Sequence, residues 1–279
     1  MSDNSLKNFQ YRLENLKKKY PMYENFFNFY GSVLLTRKNF SQKPQIESVV
    51  VEEEMAKLKL KEGFPLLEKA AFNVDLEHAQ LLFFTLCDKL KDVKEVKSAA
   101  EKINSYFLQH PEALKKVFIA FLKENEIDQI DLDFNLLKFL VFHSLKPSLE
   151  ICVQGLKQKL EGKTWMKGYC PICGHYPYIA ALRENGKKFV RCSFCGYEWS
   201  IERIFCPFCG NKNHEKLKYF EVEGEEGYRV YVCEECKRYL KTVDENKIEN
   251  VVDLDLEDIA TLHLDILAEK EGYKKEAEA

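Results

Sequence analysis

Eight of the ten cysteines in the chain occur as four Cys-x-x-Cys pairs, all in its second half. Two intervening residues let both thiolates of a pair point at one metal ion, because the backbone turns sharply between them. One such pair is half of a tetrahedral site, and two pairs complete it. The spacing therefore predicts two four-cysteine metal sites, built from Cys170/Cys173, Cys192/Cys195, Cys206/Cys209 and Cys233/Cys236.

The order of the pairs favours sequential pairing, first with second and third with fourth. The insert between the first two pairs has 18 residues, within the usual range of zinc ribbons, and the insert between the last two has 23. Each insert has the pattern of a β-hairpin, with Asn185-Gly186 at the first turn and glycines at 224 and 227 in the second. We therefore predict two tandem ribbons. Each ribbon consists of a Cys-x-x-Cys turn, called a knuckle, followed by a strand, a turn, a second strand and a second knuckle.

Other uses of these cysteines fit less well. Redox-active Cys-x-x-Cys pairs usually occur singly at the start of a helix in a βαβ unit, whereas three of the four pairs here are followed directly by glycine. His175 and His214 lie near the pairs but are surplus to two complete four-cysteine sets. Tetrahedral thiolate sites suit both zinc and iron, so two ions of Fe or Zn are expected. Four protein ligands leave no open position for water or substrate, which disfavours an enzyme.

The remaining candidates for chemistry have simpler interpretations. Cys87 and Cys152 lie in apolar helical surroundings without a neighbouring cysteine, so we predict that they are buried small apolar residues. His78, His110 and His143 are isolated. The aromatic cluster at 26–30 is explained by packing in a helical core.

The first 160 residues are predicted to be helical, because apolar residues recur at steps of three and four. The pattern predicts helices at 6–18 and 23–36, a helix capped by Asp75, one from Asp92 to the break at Pro111, and one beginning with Pro111 itself. A further helix begins at Asp133 and stops before Pro147, and 148–160 forms another. The segment 42–68 is ambiguous.

The C-terminal segment is predicted to contain one acidic helix. Asp253, Asp255, Glu257 and Asp258 lie at its start, where negative charge complements the helix dipole. An apolar stripe is expected to dock this helix onto the rest of the protein, and it comprises Ile259, Leu262, Ile266 and Leu267.

These elements predict an α+β protein: an all-helical N-terminal domain, two tandem rubredoxin-like or zinc-ribbon four-cysteine modules, and a C-terminal helix. The composition changes at Glu161-Gly162-Lys163, where cysteines and aromatic residues become dense. We therefore expect a helical domain at 1–162, a first ribbon at 163–200, a second ribbon at 201–245, and the acidic helix and tail at 246–279.

Charge and hydropathy exclude several classes of function. The net charge is −3, and residues 244–279 alone carry −8, so the strongly basic surface typical of proteins that bind phosphate backbones is missing. No apolar run approaches the roughly 18 residues needed to span a bilayer, and the N-terminus lacks the apolar segment of a secretory signal. We expect a cytoplasmic protein without stable membrane insertion, whose cysteines are kept reduced.

The run from Tyr169 to Asp244 resembles the formate dehydrogenase accessory protein family, FdhE. The four pairs, Cys170-Pro171-Ile172-Cys173-Gly174 first among them, occur in the family's order, with Trp199 and Arg203 between the second and third pairs. Further similarity covers Tyr239-Leu240-Lys241, Asp258-Ile259-Ala260-Thr261-Leu262, Leu264-Asp265 and Gly272-Tyr273. The order of four pairs around a tryptophan and an arginine is specific, whereas a single ribbon would not be.

The resemblance implies a cytoplasmic helper in the assembly of respiratory formate dehydrogenases. Such proteins bind the catalytic subunit of the enzyme before its export, and they carry rubredoxin-like metal centres with iron. Asp258 and Asp265 recur in the family pattern and are candidates for contact with that subunit. Two alternatives remain open at this point: a zinc-ribbon protein that binds nucleic acid, and a rubredoxin-like electron carrier.

Overall fold

The structure, a computed structural model, describes residues 3–47, 49–126, 131–248 and 252–275. The chain forms two compact units. The first contains Met1–Val49 and Lys69–Gly155, and the second contains Val50–Glu68 and Leu156–Ala279. The second unit thus combines the cysteine-rich part of the chain with a segment whose conformation the sequence left open.

Helices dominate the part of the chain before the first cysteine pair. None of the helices within the described residues is both long and apolar enough to cross a bilayer. The third of them belongs to the second unit. In chain order they are α1 (Asp3–Lys19), α2 (Glu24–Asn39), α3 (Glu53–Glu62), α4 (Leu76–Leu90), α5 (Lys97–Gln109), α6 (Pro111–Lys123) and α7 (Phe134–Leu156).

Two predicted helix starts are confirmed by their local contacts. The Asp75 carboxylate accepts a hydrogen bond from the His78 N–H at 2.9 Å and caps α4. Pro111 opens α6, where its missing N–H costs nothing. The predicted start of α5 at Asp92 is wrong, because tight turns at 88–96 bring Val93 into the core before the helix begins at Lys97.

The prediction that one helix stops before Pro147 and another follows it is also wrong. Helix α7 continues through Pro147 to Leu156. A proline inside a helix removes one backbone hydrogen bond and costs about 3 kcal/mol. Leu140, Leu145 and Leu149, on either side of the proline, are completely buried, and their packing outweighs that cost.

A six-stranded sheet forms the centre of the second unit, with the strand order β3-β2-β1-β6-β5-β4. All neighbouring strands are antiparallel except the central pair, β1 and β6, which are parallel. The strands are β1 (Pro177–Arg183), β2 (Lys187–Cys192), β3 (Glu198–Ile201), β4 (Leu217–Phe220), β5 (Tyr228–Cys233) and β6 (Tyr239–Asp244).

The sheet consists of two similar halves, and each half contains one of the predicted hairpins. In both halves a third strand follows the second knuckle: β3 in the first half and β6 in the second. The sequence interpretation missed both third strands. It also missed the pairing of Ile179 with Lys241 and of Ala181 with Val243, which joins the two ribbons into one sheet.

The C-terminal segment contains two short helices, α8 (Leu254–Ala260) and α9 (Leu262–Lys270), instead of one. Residues 249–251 and 276–279 of the predicted segment lie outside the described residues. The backbone leaves the helical conformation at Thr261, and this break changes which face of the following helix is buried. Ile266 and Leu267 are therefore exposed, contrary to the predicted apolar stripe, and Leu264 and Ala268 are buried in their place.

Candidate metal centres

All four knuckles share one backbone geometry. In each, the N–H of the first cysteine bonds to the carbonyl five residues later, and its carbonyl accepts from the N–H four residues later, at 2.9–3.2 Å. The residue after the second cysteine has a positive φ: Gly174, Gly196, Gly210 and, in the fourth knuckle, Lys237 at +56°. Glycine adopts this conformation without steric cost, which explains three of the four positions. Lys237 shows that the fourth knuckle keeps the conformation without glycine.

The first group of four cysteines, called the inner group, comprises Cys170, Cys173, Cys192 and Cys195. Their sulfur atoms all lie within 4.8 Å of one another. The Sγ atoms of Cys170 and Cys195 are 3.6 Å apart, and those of Cys173 and Cys192 are 3.4 Å apart. A tetrahedron with metal–sulfur bonds of 2.3 Å has sulfur–sulfur edges of about 3.8 Å. The inner group can therefore hold a tetrahedral ion after movements of a few tenths of an ångström.

The second group, called the outer group, comprises Cys206, Cys209, Cys233 and Cys236, again within 4.8 Å. The Cys206–Cys236 and Cys209–Cys233 Sγ distances are both 3.7 Å. The two groups differ in access to solvent. All four inner cysteines are buried, whereas Cys209 of the outer group is exposed and Cys236 is partly exposed. The cysteines are thus grouped in the sequential order that their spacing predicts, with one enclosed and one open cluster.

Without a bound cation, burial makes ionisation of several of these thiols unfavourable. Burial raises the pKa of Cys170 and Cys195. Burial also opposes ionisation of Cys192, but hydrogen bonds from the other three thiols outweigh it and hold the Cys192 pKa well below its ordinary value. In the outer group, backbone N–H groups overcome burial and lower the pKa of Cys233 to about 7. A divalent cation supplies the charge that lets the remaining thiols ionise, so this donor set fits Zn²⁺ or Fe²⁺.

Residues 63–67, which precede α4, form hydrogen bonds with the first knuckle and with the residue before it. The N–H groups of Leu66 and Leu67 donate to the carbonyls of Pro171 and Ile172 at 2.9 and 2.8 Å. The Tyr169 hydroxyl donates to the Gly63 carbonyl at 2.6 Å. Residues 66 and 67 are themselves buried. These contacts join residues that are distant in the chain, so no local periodic pattern in the sequence predicts them.

The two ribbons meet closely at Gly168 and Pro207. A Cβ atom added at Gly168 would lie 1.8 Å from the Pro207 carbonyl oxygen, so only glycine fits there. The Trp199 indole N–H donates to the Lys167 carbonyl at 3.2 Å next to this contact. Trp199, Phe194 and Phe208 are buried beside the sites, and Phe205 is partly buried.

The other sequence candidates lie apart from both groups. The His175 ring stacks on Phe194 at 4.7 Å, and His214 is exposed. Neither histidine belongs to the cysteine groups. Cys87 and Cys152 are buried, and burial raises the pKa of both thiols, to about 12 at Cys87. The Cys152 thiol donates to the Asn73 carbonyl at 3.2 Å. Both residues thus keep their protons, as expected of buried structural cysteines.

A charged network fastens α8 and α9 to the central strand β6. The ammonium of Lys241, 1% exposed, lies 2.7 Å from carboxylate oxygens of both Asp258 and Asp265. Asp265 also accepts a hydrogen bond from the Tyr239 hydroxyl at 2.9 Å, and Lys275 lies 3.5 Å from Asp258. Asp258 and Asp265 therefore point inward to Lys241. Their contact with a partner subunit stays a prediction.

Known proteins are similar to this chain in the region that contains these features. The model of the family described as "FdhE, C-terminal domain" matches residues 204–279, which contain the outer group and the Lys241 network. An FdhE homologue of Aquifex aeolicus is 28% identical over 270 residues, covering 95% of this chain and 90% of that protein. The chain is similar to FdhE proteins over nearly its whole length. The predicted resemblance to the formate dehydrogenase accessory protein family is thus confirmed.

Two further comparisons show how the FdhE similarity is distributed. The FdhE protein of Escherichia coli is 33% identical over 114 residues, which span 38% of this chain and 35% of that protein. The crystal structure of the FdhE protein from Pseudomonas aeruginosa has a TM-score of 0.69 and 22% identity, covering 98% of this chain and 94% of the other. This last comparison shows a shared fold, a helical part followed by a sheet-rich part.

Proposed function

We propose that this chain is a cytoplasmic, metal-loaded accessory protein that binds the catalytic subunit of a formate dehydrogenase during maturation of that enzyme. Similarity to FdhE proteins supports the accessory role. The observation that carries the proposal is the pair of four-cysteine groups, joined through one sheet by strands β1 and β6. Cytoplasmic location is proposed because both groups require reduced thiols.

The eight paired cysteines are proposed as the ligands of two ions, Fe or Zn. Each group supplies four sulfur atoms at spacings close to those of a tetrahedral thiolate site. Four sulfur ligands close the coordination shell, so a bound ion has no position for water or substrate. We therefore propose a non-enzymatic role, in which the ions brace the folded ribbons and the surface around them.

Bracing is a sufficient role for the ions because each ion would tie together the two knuckles of one ribbon. Small metal-binding modules draw most of their folding free energy from the metal. The fourth knuckle contacts the residues that follow α9: the Lys274 N–H donates to the Lys237 carbonyl at 2.8 Å, and the Tyr273 hydroxyl donates to Glu234 at 2.7 Å. Loss of an ion would therefore disturb the surface on which a partner subunit can bind.

The proposal is tested by co-purification of the formate dehydrogenase catalytic subunit from the native host. The Cys206→Ser, Cys209→Ser double variant should recover much less of the subunit than the unaltered protein. Cys152→Ser is the matched control, because it changes a buried cysteine outside both groups and its hydroxyl can still donate to Asn73. Formate-dependent dye reduction should also fall in a strain that lacks the protein.

Three results would contradict the proposal. These are equal recovery of the subunit with the double variant, normal formate dehydrogenase activity after deletion, and formate oxidation by the purified protein itself. Tight, salt-sensitive binding to DNA or RNA would favour the nucleic-acid alternative. Visible absorbance of anaerobically purified protein would separate an iron-containing electron carrier from a zinc-only scaffold.

A further inference from the structure

Strand β2 carries a buried lysine, Lys188, on the face that it shares with Val190 and Cys192. Its side chain is enclosed, and 2% of the residue is exposed. Lysine is almost never buried to this extent unless its charge is paired, because moving an unpaired ammonium out of water is costly. The burial of Lys188 therefore indicates that a negatively charged group lies near its ammonium.

The contacts of Lys188 do not include such a group among the acidic side chains. Its Nζ atom lies 3.8 Å from the centre of the Tyr231 ring, although β1 and β6 separate the two strands in the sheet. A ring face attracts a cation but offers no full negative charge. Within the part of the chain that the structure describes, Lys188 forms no ion pair with an aspartate or glutamate. The Tyr231 ring alone thus does not account for the buried charge.

Lys188 lines a small cavity together with Cys206 and Cys233 of the outer group. The other described lining residues lie between Arg203 and Leu240, so Lys188 is the contribution of the first ribbon to this cavity. The cavity has room for about one water molecule. Because an organic acid or a phosphate does not fit there, the negative charge has to come from the protein and its bound ion.

The outer cysteines supply that charge once they hold an ion, because a divalent ion with four thiolates carries a net charge of −2. Neutral donors already face two of the sulfur atoms. Backbone N–H groups of Phe208 and Cys209 point to Cys206, and the Asn211 amide nitrogen lies 3.8 Å from the Cys233 Sγ atom. Neutral donors solvate this charge but do not cancel it, whereas an ammonium at the same cavity does.

The charges that act on Lys188 agree with a thiolate partner. Burial lowers the pKa of Lys188 to about 8, the thiolate of Cys206 opposes this effect, and the Arg203 guanidinium adds to it. Cys206 is therefore a group whose negative charge attracts the Lys188 ammonium.

We propose that Lys188 is the counter-charge of the outer metal–thiolate group and stabilises the ion bound there. This inference rests on the proposed loading of the outer group with metal. Strand β2 ends at Cys192, a member of the inner group, so Lys188 also links the outer group to the ribbon that carries the inner one. Loss of the Lys188 charge should weaken metal binding by the outer group and leave the inner group unchanged.

The test measures the zinc affinity of each group in the full-length protein by competition with a chromophoric chelator. Cadmium-113 NMR assigns each bound ion to its cysteines, so the two groups are followed separately. Lys188→Met keeps the length of the side chain without its charge, and the outer affinity should fall about tenfold or more. Lys188→Arg keeps the charge and should retain most of the affinity. Lys187→Met is the matched control, since Lys187 is exposed on the same strand.

The reduction potential of iron-loaded protein separates the effect of charge from that of packing. A ferrous ion with four thiolates carries one more negative charge than its ferric form, so a nearby ammonium favours the reduced state. Lys188→Met should therefore lower the potential of the outer group, and a tenfold change in the preference for ferrous iron is about 59 mV. A change in packing alone does not predict this direction. Lys188→Arg should restore the potential.

A second variant keeps the proposal testable if Lys188→Met does not fold. Tyr231 is partly buried, and its ring contacts the Lys188 ammonium, so Tyr231→Leu should weaken outer zinc binding several-fold. Tyr219→Leu is the matched control. The exposed Tyr219 ring lies 5.5 Å from that of Tyr231 and is outside the cavity lining.

Three outcomes would overturn the inference. These are unchanged zinc affinity of the outer group in Lys188→Met or, where that variant does not fold, in Tyr231→Leu; a loss in Lys188→Met that Lys188→Arg does not restore; and an equal loss in both groups. Failure of the proposed metal loading would look different, because the outer group of the unaltered protein would then bind no zinc.

Discussion

Replacing Lys241 with methionine should strongly destabilise the second unit. The Lys241 ammonium is the buried partner of Asp258 and Asp265, at 2.7 Å from each. Methionine has a similar length and preserves packing, but it leaves two carboxylates facing each other. Lys275 lies 3.5 Å from Asp258 and 3.8 Å from Asp265, and it is too exposed to compensate fully.

The size of the effect follows from these distances. At 2.7 Å and an effective dielectric constant of about 20, each ion pair contributes roughly 6 kcal/mol of Coulomb attraction before desolvation is counted. Desolvation cancels much of that attraction in the intact network. Removing one partner of a buried pair leaves the other uncompensated, and the net cost is about 3–5 kcal/mol. We expect a loss in that range, seen as a urea midpoint lower by about 2 M.

The assay can follow the second unit separately. Both tryptophans of the chain, Trp165 and Trp199, lie in that unit, so their fluorescence reports its unfolding. Far-UV circular dichroism monitors the helices of the first unit in the same sample. Metal concentration must be held constant, because any ion that binds only the folded state adds to its stability. The fluorescence transition should move to lower urea, whereas most of the helical signal should keep its midpoint.

Two further variants decide whether the reasoning is correct. Lys270→Met changes an exposed lysine on α9 and should shift the midpoint very little. Asp258→Asn and Asp265→Asn, added to Lys241→Met, remove the stranded charges and should restore part of the stability. The argument fails if Lys241→Met is as stable as the unaltered protein, or if the two added changes destabilise it further.

The remaining predictions concern the metal groups and the contact between the ribbons. Elemental analysis should find two ions per chain, and X-ray absorption should show four sulfur ligands at about 2.3 Å; one ion, or nitrogen or oxygen ligands, would contradict the two-site assignment. A chelator should remove the outer ion before the inner one, because Cys209 is exposed whereas all inner cysteines are buried; loss in the reverse order would refute this reasoning. Gly168→Ala should destabilise the second unit by about 1–3 kcal/mol or more, since its Cβ would collide with the Pro207 carbonyl. Its control, Gly155→Ala, has open space around the added Cβ in α7 and should be neutral or stabilising by up to about 1 kcal/mol.

Local patterns in the sequence were sufficient for the metal groups and for most helices. The two-residue spacing within each cysteine pair and the hairpin pattern between pairs depend on neighbouring residues, so they predicted which four sulfur atoms meet. Asp75 and Pro111 mark helix starts for equally local reasons, through a side-chain cap and a missing N–H. Burial of Leu114, Val117, Phe118 and Phe121 follows from their helical spacing.

Local patterns failed where packing outweighed local preference. Pro147 predicts a helix end, yet the buried leucines on either side of it keep α7 continuous. The break at Thr261 changed the buried face of α9, so Ile266 and Leu267 are exposed although their spacing from Ile259 suggested a docked stripe. In both cases the deciding contacts are with residues distant in the chain.

The sequence by itself thus determined which cysteines form each group of four, because the spacing within a knuckle is a property of a few consecutive residues. Only the tertiary structure decided that the two ribbons share one sheet, because the β1–β6 pairing joins residues about 60 positions apart, such as Ile179 and Lys241. It also decided that the inner cysteine group is enclosed and the outer group open. The ion pairs of Lys241 with Asp258 and Asp265 likewise depend on the tertiary structure. Burial and charge pairing of this kind depend on which surfaces meet, and no local pattern of residues encodes that.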